Sequence, residues 1–145
     1  MPDSATIALA EALRPALLRL SRQLRRQSQS LGLSAIEVML LGTINAHPGI
    51  GLSELADREQ MSRPAMSAHV KRLEAAGYID RAAPDPQDRR RVGLEITAAG
   101  KAACEAVRQR RNDWLAQKLA GLAPKDREAL AGAIGALSEI AGERS

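Results

Sequence analysis

The chain has 145 residues and a net charge of +4, with a pI near 9.8 that rests mainly on arginine. This length fits one domain with a real core, and 45% apolar residues with no Phe and 1% aromatics favour packed helices over an aromatic-rich β-sandwich. The single Cys104 excludes an intramolecular disulfide or a Cys-rich zinc site, and no apolar run approaches the roughly 18 residues of a membrane span.

From Ser4 to about Ser30, Ile7, Leu13, Leu17, Leu20 and Leu24 recur at steps of three, four or six and predict a long amphipathic helix. Pro15 either kinks this helix or marks where its well-formed part begins. Ser34 followed by Glu37 forms an S-x-x-E capping box, opening a second helix over Ala35 to Ala46 with Ile36, Leu40, Ile44 and Met39 inside. His47-Pro48-Gly49 ends it.

Leu52 to about Gln60 reads as a short third helix with a Ser-Glu opening. After Met61, Ser62 is a good N-cap and Pro64 suits the first turn of a fourth helix running to about Ala76. Met66, Val70 and Leu73 form its buried stripe, and Gly77 sits where a left-handed terminal residue is wanted. Two short helices across a tight turn make a helix-turn-helix.

The period then changes to two. Tyr78 to Arg81 and Val92, Leu94 and Ile96 predict two strands, joined by an exposed loop with Pro84, Pro86 and the run Asp88-Arg89-Arg90-Arg91. A hairpin placed here is a wing. Thr97 caps a long helix to about Ala120 carrying Val107, Trp114, Leu115 and Leu119, and Pro124 opens a last helix with Leu130, Ile134, Leu137 and Ile140 inside.

On the fourth helix, Arg63, Pro64, Ser67, Ala68 and Lys71 lie away from the core stripe, with Arg72 at the flank. Small residues let a backbone sink into a major groove, while Arg and Lys reach guanine edges or phosphates. Taken alone this is also what a solvated helix face looks like; the wing beside it favours DNA. A loop arginine from Arg89 to Arg91 suits a narrow minor groove, with Asp88 holding one guanidinium. Ser53, at the opening of the third helix, completes the DNA-facing set.

The succession Leu52-Ser53-Glu54-Leu55-Ala56, Ser62-Arg63-Pro64-Ala65-Met66-Ser67, Leu73-Glu74-Ala75-Ala76-Gly77-Tyr78-Ile79, Asp85-Pro86-Gln87-Asp88-Arg89-Arg90 and Ile96-Thr97-Ala98-Ala99-Gly100 resembles the multiple-antibiotic-resistance regulator (MarR) family. The resemblance implies an obligate homodimer held by the first and the last two helices, bound to a pseudo-palindromic operator through both recognition helices and both wings. It matches Arg63, Ser67 and Lys71 to recognition-helix positions, and Asp88 and Arg90 to the aspartate and arginine of the wing. It also implies repression relieved by a small aromatic or phenolic effector, in a pocket between the dimer helices and the DNA-binding lobe. This chain departs from that pattern in having almost no aromatic residues to line such a pocket.

The expected fold is therefore mostly α with a small β-hairpin wing: one domain over 1–145, dimerisation helices at about 4–30 and 98–142, and the winged helix-turn-helix at about 34–97. The expected function is sequence-specific recognition of double-stranded DNA by a transcription regulator; the alternative is a winged-helix protein-interaction module. His47 and His69 lack metal-pair spacing, no catalytic or phosphate-loop motif occurs, and no cofactor or enzyme activity is expected. Nothing at the N-terminus reads as a signal peptide, so a cytoplasmic location without membrane contact is expected. Cys104 on the fifth helix reads as small apolar filler rather than a redox switch.

Overall fold

A computed structural model of the chain describes residues 1–82 and 93–142. Its elements run α1 (Ser4–Arg26), a 3-10 turn (Gln29–Leu31), α2 (Ala35–Ala46), β1 (Ile50–Gly51), α3 (Leu52–Arg58), α4 (Arg63–Ala75), β2 (Ile79–Arg81), β3 (Gly93–Ile96), α5 (Ala98–Ala120) and α6 (Pro124–Ala141). The chain divides into two compact units, Met1–Arg111 and Asn112–Ser145.

Capping chemistry explains most of the helix starts in the first unit. Asp3 accepts the Thr6 amide at 2.7 Å, and hydrogen bonding from the Thr6 side chain, with that amide second, holds its carboxyl below its ordinary value. The Ser34, Ser62 and Thr97 hydroxyls accept the amides of Glu37, Ala65 and Gly100 at 3.0–3.2 Å, each satisfying an orphan donor of a first turn. α1 runs on through Pro15, which lacks the amide that Glu11 would otherwise receive. The predicted helix to Ser30 stops at Arg26, and the chain tightens into the 3-10 turn before Gly32 at φ 76°.

The first unit buries Leu33, Leu40, Leu41, Ile44, Ile50, Leu55, Ala56, Met66, Val70, Leu73, Ile79, Leu94 and Val107 in one cluster. The core face of α2 is Glu37, Leu40, Leu41 and Ile44; the expected inner residues Ile36 and Met39 are exposed. α2 is apolar on two sides, so periodicity did not choose the buried one.

The sheet has the order β1-β3-β2, both pairs antiparallel. Ile79 pairs with Ile96 and Arg81 with Leu94, while Ile50 pairs with Leu94 and Gly51 with Gly93. Both expected strands form, the first starting at Ile79 rather than Tyr78 and the second carrying Leu94 and Ile96, with β1 added; Val92 lies outside the described residues. A Cβ on Gly93 would lie 2.6 Å from the Gly49 carbonyl oxygen, so only glycine permits this approach.

In the second unit, the Arg127 guanidinium caps carbonyls after α5, reaching the Leu122 oxygen at 2.6 Å, and Lys118 sits 5.9 Å from the Trp114 ring centre. No residue of α6 is buried among the described residues. Leu130, Ile134 and Ile140, expected inside, are exposed in the single chain and Leu137 is half-buried. α1 repeats this pattern, with Ile7, Leu17 and Leu20 exposed.

Candidate nucleic-acid interface

α3 and α4 meet through the turn Glu59–Ser62, where Gln60 adopts φ 52° and the Met61 amide returns to the Ala56 carbonyl at 2.9 Å. Thr43 donates to the Glu59 carboxylate at 3.0 Å, fixing the end of α3 to α2. The opposite end of α4 is fixed by Gly77 at φ 81° and by Arg81, whose Nε donates to Glu74 at 3.1 Å. The turn before α4 and the C-terminal end of α4 are thereby each tied to their surroundings.

Met66, Val70 and Leu73 are buried beneath α4. At about 100° per residue, Pro64, Ala68 and Lys71 project on the far side, and all three are exposed. Arg63 is exposed at the first helical position, and Ser67 is half-buried on one flank. Ser53 is exposed as the second residue of α3. Asp88, Arg89 and Arg90 lie outside the described residues, as does the loop that carries them.

Arg72 is placed differently from Lys71. Its Nη2 lies 2.9 Å from the Glu37 carboxylate on α2 and 2.9 Å from His69 Nδ1. Glu37 belongs to the core face of α2, 8% exposed. Of the predicted capping box, then, the serine half forms as expected while the Glu37 side chain is paired with Arg72. The signal available in the sequence was a carboxylate in register with an apolar face, at positions 37, 40, 41 and 44.

A cavity of about 320 Å³ is lined by Arg25, Ala35, Ile36, Val38, Met39 and Arg111. Arg111 Nε donates to the Leu24 carbonyl at 3.2 Å. The wall is mainly aliphatic with two cationic groups. Cys104 is half-buried against the core, and burial pushes its thiol up despite nearby Arg108. No cluster of metal-ligating side chains occurs among the described residues, and no helix among them is long and apolar enough to cross a membrane.

Comparison with known proteins matches residues 31–91 to a model described as the MarR family. An HTH-type transcriptional regulator of Mycobacterium tuberculosis is 35% identical over 122 residues, covering 84% of this chain and 85% of the relative. The crystal structure of MarR superposes with a TM-score of 0.67 at 26% identity, over 91% of this chain and 98% of that one. A mutant of Staphylococcus aureus MepR, solved bound to an oligodeoxyribonucleotide, shares the fold with a TM-score of 0.70 at 22% identity, over 90% and 96% of the two chains.

Proposed function

Because this chain belongs to the MarR family of DNA-binding transcription regulators, we propose that it acts as a homodimeric repressor on a pseudo-palindromic operator. The observation that carries the reading is the outer face of α4. Exposed Pro64, Ala68 and Lys71 form a low, cationic strip on a helix braced at its C-terminal end and preceded by a turn that is itself tied to α2. In a major groove the small residues let the backbone approach base edges, and Lys71 reaches a phosphate. Arg63 and Ser67 flank that strip, and Ser53 meets the adjoining backbone. Asp88, Arg89 and Arg90 join the set through the family resemblance, Arg90 entering the minor groove with Asp88 beside it.

Dimerisation supplies the cover that α1 and α6 lack in the single chain, where Leu17, Leu20, Ile134 and Ile140 are exposed. Two recognition helices about one helical turn of DNA apart, roughly 34–36 Å, then block polymerase by occupancy. The cavity at Arg25 and Arg111 suits a small organic anion such as a phenolate or aromatic carboxylate, with its ring on Ile36, Val38 and Met39. Its occupancy favours a spacing of the two lobes that no longer matches successive grooves. Such a regulator works in the cytoplasm.

The test is an anisotropy titration against the intergenic DNA upstream of its own gene at two salt concentrations, with wild type and Arg90→Ala. The expected result is sequence-preferring binding that weakens steeply with salt and is lost in the variant. Binding to that DNA no better than to random duplex at every salt concentration would refute self-regulation, and absence of any binding would refute DNA recognition.

A further inference from the structure

Two neighbours on α4 differ in what holds them. Lys71 stands on the exposed face, whereas the next residue, Arg72, turns its Nη2 to Glu37 and His69, 2.9 Å from each. The Glu37 side chain is only 10% exposed, while that of Arg72 is 63% exposed. A carboxylate so withdrawn from water needs a cationic partner in a defined place. Arg72 meets that need from the recognition helix itself. The pair is also close to neutral, and a guanidinium already matched by a carboxylate releases little counterion when it approaches a phosphate.

We propose that Glu37 is a positioning residue for DNA binding: it holds Arg72, and through it the C-terminal half of α4, in fixed orientation to α2. Arg72 then acts on DNA through this tie, while Lys71 beside it touches the phosphate. The inference rests on α4 being the recognition helix. It carries an unusual sign. Glu37→Gln removes a negative charge from each protomer, and long-range electrostatics alone would strengthen binding to a polyanion. Loss of the tie weakens it instead.

The experiment uses the full chain and a duplex enriched by the wild-type protein from a randomised pool. Glu37→Gln, Arg72→Ala, Arg72→Lys and the double variant Glu37→Gln/Arg72→Ala are titrated well below their melting temperatures at several salt concentrations. Glu37→Gln and Arg72→Ala each weaken binding about tenfold, the double variant is no worse than either, and Arg72→Lys recovers part of the loss. The slope of log K against log salt stays at the wild-type value. Unchanged or tighter binding by Glu37→Gln overturns the proposal, as does a slope about two units shallower in Arg72→Ala, the mark of one phosphate per protomer left without its cation.

Should Glu37→Gln fail to fold, the slope and the Arg72→Lys rescue decide on their own. A wild-type chain that enriches no sequence would instead refute the recognition-helix reading. Amide exchange along Met66 to Leu73 without DNA then judges the tie separately: faster exchange in Arg72→Ala supports it, and unchanged exchange overturns it.

Discussion

The Thr97 hydroxyl donates to the Gly77 carbonyl oxygen at 2.6 Å while accepting the Gly100 amide at 3.0 Å. One side chain thus starts α5 and closes the turn that leaves α4. Thr97→Val keeps the shape and removes both bonds, so it should cost about 1–2 kcal/mol in urea unfolding at constant m value. Thr97→Ser should recover most of this. A valine variant as stable as wild type would show that the bridge contributes nothing.

Gly100 follows from the same junction. A Cβ there would overlap the Tyr78 carbonyl oxygen and come within 2.7 Å of Ile96 Cγ1. Backbone on one side and the sheet on the other leave little room to yield. Gly100→Ala should therefore destabilise the lobe by about 2–3 kcal/mol, seen as a lower urea midpoint. An unchanged midpoint would mean that α5 shifts freely.

Short-range chemistry made much of this fold readable in advance. Ser34, Ser62 and Thr97 announce three helix starts because a cap and its amide lie within one turn of sequence, and Gly77 announces an end. The outer face of α4 was legible too, since Met66, Val70 and Leu73 define what lies opposite. Other features depend on partners distant in the chain. β1 is two residues long, too short to alternate, and exists because β3 is beside it. The Glu37–Arg72 pair joins helices far apart in sequence, and Glu37 already had a local explanation as a cap. Periodicity on α6 identified an apolar face but could not say what covers it.

Gln60 is the non-glycine residue with positive φ among those described, at 52° in the turn of the helix-turn-helix. It is exposed. Gln60→Gly relieves the left-handed strain and should raise stability by about 0.5–1 kcal/mol, visible as a higher melting temperature. A lower melting temperature would show that the Gln60 side chain contributes more than its backbone costs.

Lys71→Ala and Ala68→Lys test the proposed groove-facing role of the exposed α4 strip in opposite ways. Lys71→Ala should weaken all duplexes alike and make the salt slope shallower by about 0.9 for each phosphate no longer neutralised, hence about 1.8 per dimer. Ala68→Lys should mainly reduce discrimination between selected and random DNA by holding the helix out of the groove. Titrations against both duplexes separate these effects; equal weakening by both variants on both duplexes would place the DNA-facing surface elsewhere.

Leu17 and Leu20 are 40% and 41% exposed on α1. Leu17→Glu/Leu20→Glu adds charge where the homodimer reading requires an apolar seam. Sedimentation should show conversion from dimer to monomer, with the helix-turn-helix lobe retaining its amide protection and operator affinity falling at least tenfold as two half-sites become one. A double variant that stays dimeric would exclude this face from the interface.

The central position of β3 also bears on how the lobe comes into being. β1 has no strand partner until Gly93 and Leu94 exist, because it pairs with β3 alone. Helices α2, α3 and α4 are all synthesised before that segment, so on the ribosome they can form locally but cannot seal the sheet edge of their core. Completion of the core beneath α4 is thereby deferred until β3 has been made. Under the proposed function, a chain truncated before β3 would hold α4 on an unfinished core and compete poorly for the operator.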